Sequence, residues 1–335
     1  MEYRKIIGFG KSSFVVSLPK DWVTRNNLKK GSAISISEEN ESIVISPTPV
    51  KNSKEAESTK IIDTKSKSNK FLQRELISSY ISGYDTIIIK GDDLKSRRKA
   101  INEVFRNLVA LEIIKQDEES IIAKDFLDIN DINLHELMRK IDNNLRSMII
   151  EFVEMVDLKI KSKITAEQKR DLLRLMGERD DSINKLTFLS FRSIKDMLMN
   201  PSKTRESMIE LFQAWTTVLY IERAGDEIKR IYRNLLESEQ NTKELSELKS
   251  MFEDAGELYK GVMKIFYENE KSVKKGKNYE LAERCRLFQK KCKVRIQKGN
   301  GTSKHMIPAY EKLINFTSYL EEILRLTYDF LWTIK

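Results

Sequence analysis

The sequence predicts a multidomain chain: a small β-rich head, a small α+β middle unit, and an all-α body of two tandem three-helix bundles. Three observations carry this. Three of the five prolines, Pro19, Pro47 and Pro49, fall in the first fifty residues and the next is Pro201, so long helices become available only after the start of the chain. Apolar residues alternate with polar ones in the head and change to three- and four-residue spacing beyond it. A length of 335 residues also exceeds a single domain of roughly 100–200 residues.

Charge and composition remove several classes of function. Sixty Lys and Arg oppose 51 Asp and Glu, giving a net charge of +9, and 33% of the residues are charged. No apolar run approaches the roughly 20 residues that a membrane helix needs, so the chain is not expected to be membrane-inserted. The opening MEYRKIIGFGKSS lacks the pattern of a signal peptide, and a cytoplasmic location is the expectation. Cys285 and Cys292 lie seven apart on one helical segment, cannot bridge each other there, and read as reduced thiols. The two histidines, His135 and His305, are isolated, which argues against a His-based metal site or triad. An enzyme is not expected, and any special chemistry would come from carboxylates.

In the head, Phe14–Leu18 reads as a strand ending at Pro19, and Ala33–Ser37 pairs with Ser42–Ser46 across the acidic turn 38–41. Between them Lys20–Arg25 reads as one or two helical turns, closed by Asn26-Asn27, with a turn at Lys29-Lys30-Gly31. Fifty residues of short strands bury little apolar surface alone, and intertwining with a second copy would solve that.

The order Arg4-Lys5-Ile6-Ile7, Gly10-Lys11-Ser12-Ser13, Val15-Val16-Ser17-Leu18-Pro19-Lys20-Asp21-Trp22, Leu28-Lys29-Lys30-Gly31-Ser32 and Ile43–Pro47 resembles the AbrB/SpoVT family of swapped-hairpin DNA-binding domains. The resemblance spans nearly all of residues 1–49. It implies a homodimer that closes a β-barrel-like body and sets a basic face on double-stranded DNA. By position it makes Arg4, Lys5, Lys11, Lys20 and Arg25 contact candidates, with Ser12 and Ser13 donating to phosphate. Such contacts position by charge rather than by reading bases. Seven Lys and Arg against five Asp and Glu leave residues 1–50 at only +2, so the same residues also read as ordinary solvated surface.

Residues 50–70 are rich in Lys, Ser and Glu and read as a linker, with room for one short strand at Ile61-Ile62. Residues 71–130 form the α+β unit: a helix from Phe71 to about Gly83, a buried strand at Thr86–Ile89, a basic helix through Leu94, Ile101 and Leu108, then strands at Leu111–Ile114 and Ser120–Ala123. Its Lys95–Lys99 run reads as a solvated helix start.

From 133 to 238 three long helices are expected. The first is capped by Asn133 with Glu136, the second by Thr165 with Gln168, and the third runs from about Thr204 to Leu236. Residues 243–335 repeat the plan, with helices from about Lys243, Tyr279 and Pro308, which suggests an internal duplication of antiparallel bundles.

Glu222 and Asp226 continue the apolar stripe of Leu211, Trp215 and Leu219, and Asp180 and Asn184 lie beside Met176 and Ile183. Carboxylates buried unpaired cost several kcal/mol, whereas a bound cation would stabilise them. The elements Ile221–Asp226 and Glu178–Asn184 resemble the metal motifs of the PhoU family of phosphate-uptake regulators, over about residues 133–335 and weakly in the second half. That resemblance implies a divalent or ferric metal ion on Asp180, Asn184, Glu222 and Asp226, with Asp181 a neighbour. Cys285, Gln289, Glu321 and Arg325 stand at the corresponding places of the second unit, so at most one metal site is expected. The alternative is an ion-pair network of Glu222 or Asp226 with Arg179, Arg223 or Lys229. The Glu-x-x-His ligands of a di-metal oxidase are missing.

Together the resemblances imply a DNA-binding transcriptional regulator of phosphate uptake whose body senses a metal, ligand or partner. The other reading is a metal-binding helical adaptor that docks on a phosphate transporter or signalling protein, with the head serving only for dimerisation.

Overall fold

The computed structural model describes residues 3–11, 13–39, 42–47, 58–199, 208–237, 241–268, 275–297 and 306–333. The chain divides into two compact units, Met1–Ala56 and Glu57–Lys335.

The first unit is two hairpins with a short helix between them. Strands β1 (Ile7–Phe9) and β2 (Ser13–Val15) pair antiparallel with Ile7 opposite Val15. Helix α1 (Lys20–Arg25) follows, and strands β3 (Ile34–Glu39) and β4 (Ser42–Pro47) pair with Ile36 opposite Ile45. The two hairpins form separate two-stranded sheets, and α1 buries no residue. The strand expected over Phe14–Leu18 stops at Val15, because Val16–Pro19 leaves the ladder before α1 begins. Ile7–Phe9, in contrast, is a strand that the alternation did not single out.

The second unit begins inside the stretch read as a linker. Residues 48–57 lie outside the described ones, but β5 (Thr59–Asp63) is an ordered strand, parallel to β6 (Thr86–Lys90), with Ile62 opposite Ile89. The sequence left room for a short strand at Ile61-Ile62, and pairing with a strand 27 residues away extends it to five residues. Helix α2 (Asn69–Ile81) makes the crossover and is capped by Ser68, whose Oγ accepts from the Phe71 amide. Helix α3 (Leu94–Phe105) then leads to β7 (Leu111–Gln116) and β8 (Ser120–Asp125), and the sheet order is β5-β6-β8-β7. Ile62, Leu72, Leu76, Tyr80, Ile89, Ile101 and Ile121 form the core of this small sandwich.

Among the described residues six helices build the body: α4 (Leu134–Lys161), α5 (Ala166–Met199), α6 (Met208–Glu237), α7 (Thr242–Tyr267), α8 (Lys275–Gln297) and α9 (Ile307–Thr333). The expected start of α6 near Thr204 lies outside the described residues. Asn133 caps α4 by accepting from the Glu136 amide. Thr165 and Gln168 form a reciprocal capping box, each side chain accepting from the other's amide at 3.2 and 2.9 Å. The two three-helix groups differ from a tandem pair in one respect: they share a single core. Helix α6 lies along α9 and α4 along α7. Phe152 of α4 stacks on Phe252 of α7 with ring centroids 3.7 Å apart. A side chain at Gly256 would place its Cβ 3.0 Å from the Ile149 methyl, which would have to shift to admit it, so the two helices cross closely here.

The α+β unit is pinned to the body through α5. Arg192 pairs with Asp125 at the end of β8 and lies over the Tyr80 ring at 4.8 Å, and Lys195 donates to the Ser82 hydroxyl at 2.9 Å. No helix among the described residues is long and apolar enough to cross a membrane.

Candidate functional site

The basic residues of the head come from three elements. Arg4 and Lys5 lie in the segment before β1, Lys11 in the turn between β1 and β2, and Ser13 opens β2. Lys20 opens α1 and Arg25 sits in its last turn, beside Asn27 at φ 53°, where the helix ends. All six are exposed, and Ser12 lies outside the described residues. Arg4 donates to the Ser17 hydroxyl at 3.3 Å. The remaining candidates keep their charges in solvent, as a phosphate-contacting face requires.

The same unit exposes its apolar side chains. Phe9, Phe14, Ile36 and Ile43 are 71, 78, 65 and 69% exposed. Monomeric surfaces carry such residues singly; here they occur on both hairpins of one small unit, which marks a surface awaiting cover.

Residues 9–55 match the family model described as antidote-toxin recognition MazE, bacterial antitoxin. The match fits the swapped-hairpin kind of head and ends where the first unit ends. No curated protein and no solved structure matches the chain. The family model covers only the head, and the body is read from its own geometry.

In the body, the four residues expected to bind metal do converge, but with cations among them. Asp180, nearly buried, accepts from the Asn184 amide at 3.2 Å and pairs with the Lys229 ammonium. Asp226 pairs with Arg230 at 3.0 Å. Glu222 is pushed up to about 7 by burial, then by the charges of Asp226 and Asp180. Burial also raises Asp180, against the pull of Lys229. The donor set does not fit a metal ion: one Asp180 oxygen takes a lysine ammonium and an amide N–H. Among the described residues no group of three or more His, Cys, Asp or Glu is placed to hold one. Gly225, within the same motif, admits Ile183 and Leu145 to 3.3 and 3.5 Å of where its Cβ would stand, so it is explained by packing.

The pairings differ from those the ion-pair alternative named. Arg179 reaches Glu151 at 2.8 Å instead, and Lys229 meets Asp180 rather than Glu222 or Asp226. In the second unit Gln289 donates to Glu321 and Ser318 at 3.2 and 3.3 Å, and Arg286 pairs with Glu321 at 3.3 Å. Arg325 turns away to Glu322. Cys285 and Cys292 are both buried, and burial pushes each thiol up to about 12.

Three buried acids of the described residues, Glu227, Asp142 and Glu244, escaped sequence reasoning. Glu227 of α6 is 4% exposed and is held between Arg230 at 3.4 Å, Asn315 at 3.3 Å and Lys312 at 3.8 Å, so it ties α6 to α9. Asp142 of α4 takes a two-pronged contact from Arg146 at 2.8 and 3.2 Å. The available signal was position: Glu227 sits between Ala224 and Ile231 on the stripe that faces another helix.

An open concavity of about 1140 Å³ lies at the carboxyl ends of β5 and β6. Two of the acids that line it, Asp93 and Asp117, are already engaged. Asp93 accepts from Thr64 and Arg97, both at 2.6 Å. The Ser120 amide, at 2.6 Å, leads the contacts that hold Asp117 down at about 2. Arg97 of the Lys95–Lys99 run is thus a structural anchor.

Proposed function

We propose that this protein is a DNA-binding regulator that acts as a homodimer through its head, with the helical body as the part that receives a signal. The observation that carries the reading is the head itself: a MazE-like unit with apolar faces uncovered on both hairpins and five cations in solvent. A second copy would cover the apolar faces, and pairing would double the cations on the DNA-facing side. Contacts of this kind give affinity that falls steeply with salt.

The process regulated, phosphate uptake, rests on the PhoU-like elements Ile221–Asp226 and Glu178–Asn184. In this reading the cluster around Asp180 and Lys229 acts as an ion-pair network of the sensing body, without a metal. Signal transfer needs two states of different DNA affinity. Genome-wide crosslinking in phosphate-replete and phosphate-starved cells tests it, with Lys5/Lys11/Lys20→Ala as control. Enrichment at phosphate-transport promoters, lost in the control and changed by phosphate, is the expected result; no specific enrichment under either condition would retire the reading.

A second reading has support of its own, because the family model is described by recognition of a toxin, that is, of a protein. The head would then serve for dimerisation or protein capture, and the body would be an adaptor for a transporter or signalling protein. Deleting residues 1–49 separates the two. Loss of promoter occupancy with partner binding retained favours the regulator, and loss of dimerisation alone favours the adaptor.

A further inference from the structure

The charge of this chain is not concentrated in its head. Helix α8 carries eight Lys and Arg against two Glu, a net +6 within 23 residues, while the whole chain is +9. One side of α8 is fixed by packing: Leu281, Cys285, Phe288 and Cys292 are buried in the body's core. Asn278 is buried as well, Ala282, Glu283, Gln289 and Ile296 are half-buried, and the other described side chains from Lys277 to Gln297 are exposed.

Some of those cations serve the fold. Arg286 pairs with Glu283 and Glu321, and Arg295 with Glu247 at 3.0 Å. Arg284, Lys290, Lys291 and Lys293 are exposed and have no ion pair among the described residues. At 3.6 residues per turn, Lys290 and Lys293 fall on one flank of the outer face, and Arg284 and Lys291 on the other. Between the flanks runs a strip with Leu287 and Val294, 50 and 44% exposed. Like charges set this close on one helix destabilise it slightly and find no compensation within the described chain.

The geometry points to a second polyanion-binding surface on this protein, the outer face of α8, which seats against the backbone of double-stranded DNA. A helix about 10–12 Å across with side chains matches a major groove about 12 Å wide, so cations on both flanks reach phosphates on both walls. Twenty-three residues at about 1.5 Å each span about 35 Å, close to one turn of duplex. Leu287, Val294 and Tyr279, the last 70% exposed, are three scattered apolar side chains among the helix's cations and supply little apolar contact for a seat in a lipid interface, which leaves the phosphate backbone as the better complement. This surface is distinct from the head and does not depend on the head's function.

The test is a titration of the full-length protein on a random-sequence duplex by fluorescence anisotropy across a range of KCl concentrations. The patch variant K290E/K291E/K293E is compared with K140E/K163E/K243E, which removes the same charge from exposed lysines elsewhere, and with K5A/K11A/K20A. All substituted side chains are exposed, and unchanged melting curves verify the fold. The patch variant should reduce the slope of log K against log salt by about 2.7, from about 0.9 per phosphate contact, and weaken binding at least tenfold near 0.1 M salt. The elsewhere variant should leave the slope nearly unchanged. Equal losses from both reversals, or no loss from the patch, would overturn the inference. So would unaltered DNA binding together with loss of binding to phosphatidylglycerol vesicles, which would assign the patch to lipid. Binding that survives in the head variant but fails in the patch variant would sink the head reading and uphold this one; the opposite result would do the reverse.

Discussion

The head and the body solve the problem of burial in opposite ways. The head has two hairpins and a six-residue helix, and its Phe9, Phe14, Ile36 and Ile43 stand in solvent. The body packs six helices on one continuous core, with Phe152, Phe252, Tyr259 and Phe316 fully enclosed. A unit of fifty residues has too little interior to close on itself, whereas helices of 23–34 residues present stripes long enough to bury each other. The lesson is that the body closes its own core within the chain, whereas the head leaves apolar side chains that the proposed dimer would cover.

Four measurements break or sharpen this contrast. The largest effect is expected in the body: Phe152→Ala should cost about 3–5 kcal/mol in chemical denaturation, because its stacked partner Phe252 cannot collapse into the void. A loss below about 1 kcal/mol would mean that the shared core is loosely packed. In the head, Phe14→Ala should weaken dimerisation by about 1.5–3 kcal/mol in sedimentation equilibrium while leaving the body's unfolding transition in place. If the head is instead a free monomeric surface, the change stays within about 0.5 kcal/mol.

Within the body, Lys229→Met should cost about 1–3 kcal/mol by leaving Asp180 buried without its cation, and Asp180→Asn in the same chain should restore part of the loss. A chelator should not move the wild-type melting temperature; a fall on chelation would instead reinstate a metal among Asp180, Asn184, Glu222 and Asp226. The smallest effect is kinetic. Cys285 and Cys292 should react slowly with a thiol reagent at pH 8, since burial holds both thiols near 12, and both should react at once in guanidinium. Rapid labelling of the native protein would show that α8 opens from α9.

Much of the fold was legible because it is local. Alternation found the β3–β4 hairpin, the i, i+3, i+4 stripes found the six helices, and Asn133 and the Thr165–Gln168 pair fixed two helix starts through bonds within four residues. The site was legible only in part. Asp180 and Asn184 do touch, being one turn apart, but Lys229, which the sequence offers to Glu222 or Asp226, is 49 residues from Asp180, and no spacing rule names that pair.

The sequence by itself therefore determined which residues form elements, which face of each is apolar, and where the charge lies, including the +6 of α8. Tertiary structure decided that the strand allowed at Ile61-Ile62 runs over 59–63 and pairs parallel with β6. It decided equally that the two bundles share one core and that Lys229 pairs with Asp180. The reason is physical: periodicity is set by backbone geometry within a turn or two, whereas a buried charge or an edge strand takes its partner from whatever the packed chain brings within a few ångströms.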